Sequence, residues 1–136
     1  MKDDDGSAVV EFLALTLLLF IPIVYLVITA FTIQGASFAA AGAARDAARI
    51  VATAGDPAER TVRAGAALAF ADFGLDVAPD VSVTCAEGCA EPGSLVRVTV
   101  SARVPLPLVP DFLTERASVG VSAHATGVVD RHREFP

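Results

Sequence analysis

The chain has 136 residues, of which 54% are hydrophobic, and a formal net charge of −6 at pH 7. This length fits one small domain. The acidic balance leaves no basic face that could neutralise phosphates, so nucleic acid is excluded as a partner.

The hydrophobic residues are concentrated near the N-terminus. No side chain from Phe12 to Ile33 is charged, and a helix of these roughly 22 residues measures about 33 Å, close to the hydrocarbon thickness of a lipid bilayer. A cleavable secretory signal ending near Ala41 is the alternative, but the apolar core of such a signal is normally only about 7 to 15 residues long. The sequence therefore predicts a transmembrane helix over residues 7–33.

An alanine-rich segment follows, and the helix is predicted to continue out of the membrane over residues 34–55. Small residues recur there at every fourth position in two stripes, a spacing that lets another helix approach closely. The stripes are Gly35, Ala39, Ala43 and Ala47, and Ala36, Ala40, Ala44 and Ala48. They predict packing against other helices, against the chain's own domain, or against both on different faces. Pro22 lies within the span and is predicted to kink or loosen the helix, because it lacks an N–H group.

A small α+β domain is predicted over residues 56–129. It begins with a helix whose start signals are Asp56 as N-cap, Pro57 at the first helical position and Glu59 three residues after the cap. Gly74 is the stop signal of this helix. The predicted apolar face consists of Val62, Ala66, Ala69, Phe70 and Phe73.

The periodicity of the apolar residues then changes from 3.6 to 2. Alternation in the segments 81–85, 96–103 and 119–124 predicts three half-buried strands. The prolines between the second and third segments exclude a central strand, and Asp111 is placed to cap a single helical turn. The predicted fold class is α+β, in which a long N-terminal helix and a second helix pack on a small three-stranded antiparallel sheet. Residues 130–136 are predicted to form a flexible tail.

Cys85 and Cys89 lie four residues apart in a turn-rich stretch. They predict a disulfide that closes the loop of a hairpin, which requires a compartment outside the cytoplasm. Metal binding is the alternative, but no histidine or further cysteine lies nearby to complete a tetrahedral site. His124 and His132 are interpreted as surface residues. Because the sequence also lacks hydrolase, metalloprotease and phosphate-loop motifs, we expect no enzyme activity, no cofactor, no metal site and no small-molecule substrate.

A single acidic residue, Glu11, directly precedes the apolar run. A carboxylate at the bilayer centre costs about 2.5 to 3.5 kcal/mol, although near the end of a span it can reach the interface. One interpretation is an interfacial glutamate that stabilises a helix N-terminus. In the other, cleavage after Gly6 gives Ser7 a free ammonium group about one helical turn from Glu11, and the two opposite charges attract each other.

The segment GSAVVEF, from Gly6 to Phe12, resembles the class III processing motif of type IV pilin-like proteins, since a long apolar run with Pro22 follows directly. Together with the short leader and the continuation AARDAARIVA, it is most similar to the TadE-like pseudopilins of tight-adherence (Flp) pili. The resemblance covers roughly residues 6 to 55. It implies that residues 1–6 are a leader, that a prepilin peptidase cuts after Gly6, and that Ser7 becomes the new N-terminus. Glu11, followed by Phe12, would match the glutamate that guides processing or docking of subunits.

The resemblance further implies a minor pseudopilin, which is a structural subunit of a pilus. The implied partners are other pilins and pseudopilins through helix–helix packing, the prepilin peptidase, the pilus assembly platform with its ATPase, and the lipid bilayer. The implied location is the cytoplasmic membrane, crossed once, with incorporation into an extracellular pilus. Three aspartates in the leader, and Arg45 and Arg49 beyond the span, do not follow the positive-inside rule. The predicted orientation therefore depends on the disulfide, which requires an oxidising compartment. It has the N-terminus in the cytoplasm and the C-terminal domain outside the cytoplasm.

The alternative function is a signal-anchored extracytoplasmic domain that binds a ligand or another protein and is not part of a filament. In that case Gly6 has no role in processing. The N-terminus distinguishes the two functions, because Ser7 as the first residue favours the pseudopilin and an intact Met1 favours the anchored domain.

Overall fold

The computed structural model describes residues 4–54 and 59–131. Two helices are followed by three strands, with a short 3-10 turn between the second and third strands. The elements are α1 Asp4–Ala54, α2 Glu59–Ala71, β1 Asp80–Cys85, β2 Leu95–Pro105, the 3-10 turn Asp111–Leu113 and β3 Ser118–Val128. The predicted α+β class is confirmed.

Helix α1 is one uninterrupted helix of 51 residues, about 76 Å long at the rise of an α-helix. It begins at Asp4, so the end of the predicted leader is already helical. The helix also continues through Pro22; a kink at that residue stays a prediction.

Helix α2 buries three of the predicted apolar residues, Val62, Ala66 and Phe70. Ala69 is half-buried, whereas Phe73 is 51% exposed, because it follows the end of the helix. The predicted start signals at Asp56 and Pro57 lie outside the described residues. Glu59 and Arg63, which have helix-neighbour spacing, form an exposed ion pair of 2.8 Å.

The stop signal of α2 is confirmed. Gly74 has a φ of 71°, a left-handed conformation that glycine adopts without steric cost. Its N–H donates to the carbonyl of Ala71, and the N–H of Leu75 donates to the carbonyl of Phe70 at 3.1 Å. This pair of hydrogen bonds is the Schellman motif, and the partly buried Leu75 packs against the core beside Phe70.

The three strands form an antiparallel sheet in the order β1-β2-β3. All three predicted strands are confirmed, but β3 continues to Val128, because it pairs along the whole of β2 as far as Leu95. The alternating inward residues meet α1 and form the core with it. The buried residues of the sheet are Val81, Val96, Val98, Val100, Ala102, Val104 and Val121.

The loop between β1 and β2 is closed by a disulfide between Cys85 and Cys89, whose Cα atoms are 5.2 Å apart. The predicted pairing is therefore confirmed. Buried Ser94 ends this loop, and its carbonyl accepts a hydrogen bond of 3.0 Å from the N–H of Val129. The disulfide loop is thereby connected to the chain that follows β3.

The proline-rich segment between β2 and β3 contains the 3-10 turn. Pro110, not Asp111, is the N-cap residue of this turn, so the expected capping by Asp111 is wrong by one position. The physical reason is that Pro110 already has the extended conformation that precedes a helical turn, with φ −60° and ψ 147°. Two apolar side chains of this segment, Leu108 and Phe112, are 83% and 82% exposed.

Candidate functional site

The burial of side chains changes sharply along α1. Every side chain from Ala8 to Val24 is exposed, although most of them are apolar. From Ala36 to Val51 one face of the same helix is buried. The buried residues are Ala36, Ala39, Ala40, Ala43, Ala44, Ala47, Ala48 and Val51. One continuous element thus has an uncovered apolar half and a half that belongs to the core of the domain.

Within the described residues, α1 is long and apolar enough to cross a membrane. Its most apolar window has a mean hydropathy of 2.7, and none of that window is buried. This length and composition fit a membrane anchor or a signal sequence.

The residues of the expected processing site all lie at the start of α1. Gly6 and Ser7 are within the helix, and Glu11 follows one turn later with an exposed side chain. Ser7 and Glu11 are four residues apart, so they lie on the same face, separated by about 6 Å along the axis. Side chains on a helix lean towards its N-terminus, and the Glu11 carboxylate therefore points along the helix towards residue 7. Phe12, the next residue, is 69% exposed.

The first stripe of small residues, Gly35 to Ala47, faces α2. A Cβ atom at Gly35 would lie 3.2 Å from Cδ1 of Phe73, just beyond the end of α2. Further along, Ala43 and Ala47 line a groove with Val62 and other residues of α2. This stripe therefore serves packing between the two helices of the same chain.

The second stripe, Ala36 to Ala48, is also buried. Near its end the sheet comes close to the helix backbone, because a Cβ atom at Gly127 of β3 would lie 3.2 Å from the carbonyl oxygen of Ala48. Both stripes are therefore covered by the chain's own domain, which is one of the two arrangements that the sequence left open.

On the side of α1 that faces away from the two stripes, the segment 36–51 is not covered by the domain. Phe38 is 69% exposed, and a Cβ atom at Gly42 would meet no atom within 4 Å outside the helix. Arg45 and Arg49 are exposed on the same part of the helix. This face is therefore the part of residues 36–51 that the chain's own domain leaves accessible.

In the part of the chain that the structure describes, no group of three or more His, Cys, Asp or Glu side chains is positioned to hold a metal ion. His124 is exposed on the outer face of β3. His132 lies outside the described residues.

Two features were not predicted from the sequence. Tyr25 and Thr29, inside the predicted span, are partly buried, and Leu108 and Phe112 are exposed at the turn between β2 and β3. The second feature had a signal in the sequence, because apolar residues between prolines in a segment that cannot be a central strand have no obvious place in the core.

The candidate site is thus the first half of α1, where Gly6, Ser7 and Glu11 precede an uncovered apolar surface. The same helix continues into the core of the α+β domain. Comparisons with protein-family models, with curated protein sequences and with solved structures find no match to this chain.

Proposed function

We propose that the chain is a minor pseudopilin of the TadE-like type, cut after Gly6 and assembled into a tight-adherence pilus through its N-terminal helix. The observation that carries the proposal is the division of α1 into an uncovered apolar half and a half built into the domain. A structural subunit that moves from a membrane into a filament requires these two properties in one helix.

The uncovered half must have apolar surroundings in either location. Its exposed side chains include Leu13, Leu18 and Phe20, which are 54%, 74% and 60% exposed. Burial of one such side chain contributes about 1.5 to 3 kcal/mol, so the whole segment is very costly to place in water. Lipid supplies the apolar surroundings before assembly, and the helices of other pilins supply them afterwards.

The domain follows the helix during this transfer. Because Ala36 to Val51 form the core together with the sheet, the domain cannot separate from α1 without unfolding. Extraction of the helix by the assembly platform therefore delivers the folded domain to the filament. The disulfide between Cys85 and Cys89 favours a domain located outside the cytoplasm.

Cleavage after Gly6 has a chemical consequence for Glu11. The new α-ammonium group of Ser7 lies one helical turn before a carboxylate that leans towards it. In apolar surroundings an unpaired carboxylate is costly, and a nearby opposite charge lowers that cost. Processing thus supplies the partner that lets Glu11 enter a bundle of apolar helices.

Replacement of Glu11 by Leu tests this role. We expect Glu11→Leu to be a stable membrane protein that is absent from pili, because its ammonium group then enters the bundle without a partner. The measurement is the amount of protein in sheared pili and in membranes from cells with a working pilus system. Gln34→Leu, which puts the same side chain at another exposed polar position of α1, is the control and should assemble normally. Equal amounts of Glu11→Leu and unaltered protein in pili would show that the charge pair has no role.

A further inference from the structure

The turn between β2 and β3 displays an unusual set of apolar side chains. Leu108 and Phe112 are 83% and 82% exposed, and Leu113 is 38% exposed. Scattered apolar residues are normal on protein surfaces, but neighbouring ones in a short loop commonly mark a contact with another molecule or with a membrane. We call residues 106–117 the proximal loop.

The backbone of this loop is strained where it exposes Leu108. Leu108 has a φ of 61°, in the left-handed region that costs a residue with a Cβ atom about 1 to 2 kcal/mol. An asparagine or glycine would adopt this conformation more easily, yet the position holds a large apolar residue. Such outliers cluster at functional positions, among them sites that hold a ligand.

The register of the sheet locates the proximal loop relative to α1. Gly127, near the end of β3, lies beside Ala48 and Ala52 of α1. The loop is at the other end of the strand, because Pro105 pairs with Ser118 and Leu95 pairs with Val128. From Gly127 to Ser118 the strand covers about 30 Å, which equals about 20 residues of helix. If strand and helix run side by side, the proximal loop lies near residue 28 of α1, close to the C-terminal end of the predicted transmembrane segment 7–33.

The coverage of α1 independently supports this location. Tyr25 and Thr29 are partly buried and continue the face that holds Ala36 and Ala40. The hydroxyl of Thr29 is inaccessible and, within the described residues, has no hydrogen-bond partner. The end of α2 reaches α1 at Gly35, where Phe73 contacts it. This partial burial agrees with a proximal loop at this level of the helix.

We infer that the proximal loop is a second membrane contact, which inserts Leu108, Phe112 and Leu113 at the boundary between headgroups and hydrocarbon beside the transmembrane part of α1. The inference rests on the proposed insertion of α1 in a bilayer. A lipid surface is the occupant that fits, because the loop lies beside a helix segment that itself needs apolar surroundings. The exposed charges of Asp111, Glu115 and Arg116 remain hydrated at that depth, among the headgroups.

This contact gives the domain a fixed height and orientation on the membrane. With α1 as the only contact, the domain is free to rotate about the helix axis. A loop anchored beside the helix adds a second point, so the same side of the domain faces the membrane until the helix is extracted. Assembly then has to withdraw both contacts.

Tryptophan reporters test the inference in the full-length protein, because the sequence contains no tryptophan. The variants are Phe112→Trp in the proximal loop, Phe31→Trp in the predicted transmembrane segment of α1, and Leu68→Trp on the exposed face of α2. Phe31 and Leu68 are 69% and 63% exposed. Each variant is reconstituted in phosphatidylcholine vesicles with or without brominated acyl chains, and its emission is recorded. We expect a blue shift and bromine quenching for Phe112→Trp and Phe31→Trp, and neither for Leu68→Trp.

The outcomes separate this inference from the proposed function. Quenching of Phe31→Trp without quenching of Phe112→Trp overturns the second contact while α1 remains in the membrane. A blue shift of Phe112→Trp without quenching also overturns it, because the loop is then covered by protein. Loss of quenching for Phe31→Trp overturns both, since the helix is then not in lipid.

A second substitution tests the contribution of the strained residue. Leu108→Asn in the Phe112→Trp background removes the apolar side chain but suits the left-handed backbone, so the fold is retained. We expect a clear loss of quenching at the reporter. Leu95→Asn, at the opposite end of β2 and 55% exposed in the unaltered chain, is the matched control and should leave the quenching unchanged. Equal quenching in both variants would mean that Leu108 does not enter the membrane.

Discussion

The glycines of this chain differ in what an added side chain would meet. Gly74 has a φ of 71° and ends α2, whereas Gly65 lies within the same helix on its exposed side. Neither would bring a Cβ atom within 4 Å of another group, so packing does not distinguish them. The difference is conformational, because only Gly74 requires the left-handed region.

Alanine substitutions at these two positions should therefore change stability in opposite directions. We expect Gly74→Ala to lower the free energy of unfolding by about 1 to 2 kcal/mol, the cost of a left-handed residue with a Cβ atom. Gly65→Ala should raise it by roughly 0.5 to 1 kcal/mol, because glycine is a poor residue for a helix interior. Urea unfolding in detergent micelles, followed by circular dichroism, measures both; equal effects would contradict this assignment.

In the proposed function, Gly6 is required by the processing peptidase and not by the fold. A prepilin peptidase that accepts glycine before the cut has no space for a large side chain there, so Gly6→Leu should accumulate as an uncut precursor in the membrane. Ala8→Leu adds the same side chain two residues later and is the control that should be cut normally. The readout is the ratio of precursor to mature protein on gels, and normal cutting of Gly6→Leu would exclude Gly6 as the processing residue.

At the scale of elements, the sheet closely approaches the backbone of α1 at Gly127. Its Cβ position would lie 3.2 Å from the backbone oxygen of Ala48, and a backbone atom of a buried helix cannot move aside cheaply. Gly120 is in the same strand, but a Cβ atom there would meet nothing within 4 Å. Substitutions at these two positions therefore distinguish the effect of packing against the helix from the preference of strands for β-branched residues.

Valine at these positions should distinguish the two effects. We expect Gly127→Val to destabilise the domain by about 1 to 3 kcal/mol, because the sheet must move away from α1. Gly120→Val should be neutral or stabilising, since valine favours strands and has open space there. The same urea titration measures both variants. Tolerance of Gly127→Val would mean that the sheet is not held against the helix at this point.

The elements themselves were predictable because each has a strong local signal. Alternation over 81–85 and 96–103 identified β1 and β2, and Gly74 identified the end of α2. The extent of β3 was not predictable, since its last residues continue the strand through pairing with β2, which is a nonlocal effect. The partner of the small-residue stripes was also undetermined, because a stripe that accepts a neighbouring helix equally accepts the chain's own helix or sheet.

At the scale of the whole molecule, one helix connects two environments. The apolar half from Ala8 to Val24 is uncovered, and the half from Ala36 to Val51 is core. Hydropathy and composition predicted this division, whereas cleavage after Gly6 stays a prediction. The location that we infer for the proximal loop was not predictable from the sequence, since it depends on the register of β2 and β3.

The central claim is that processing after Gly6 prepares this helix for assembly, and the mass of the mature protein tests it most directly. Intact-protein mass spectrometry is performed on protein purified from membranes of cells with a working pilus system. The account predicts a chain that begins at Ser7 and retains the disulfide between Cys85 and Cys89. A mature protein that still begins at Met1 would contradict the account and favour an anchored binding domain, and a chain that begins near Ala41 would instead identify a secreted domain.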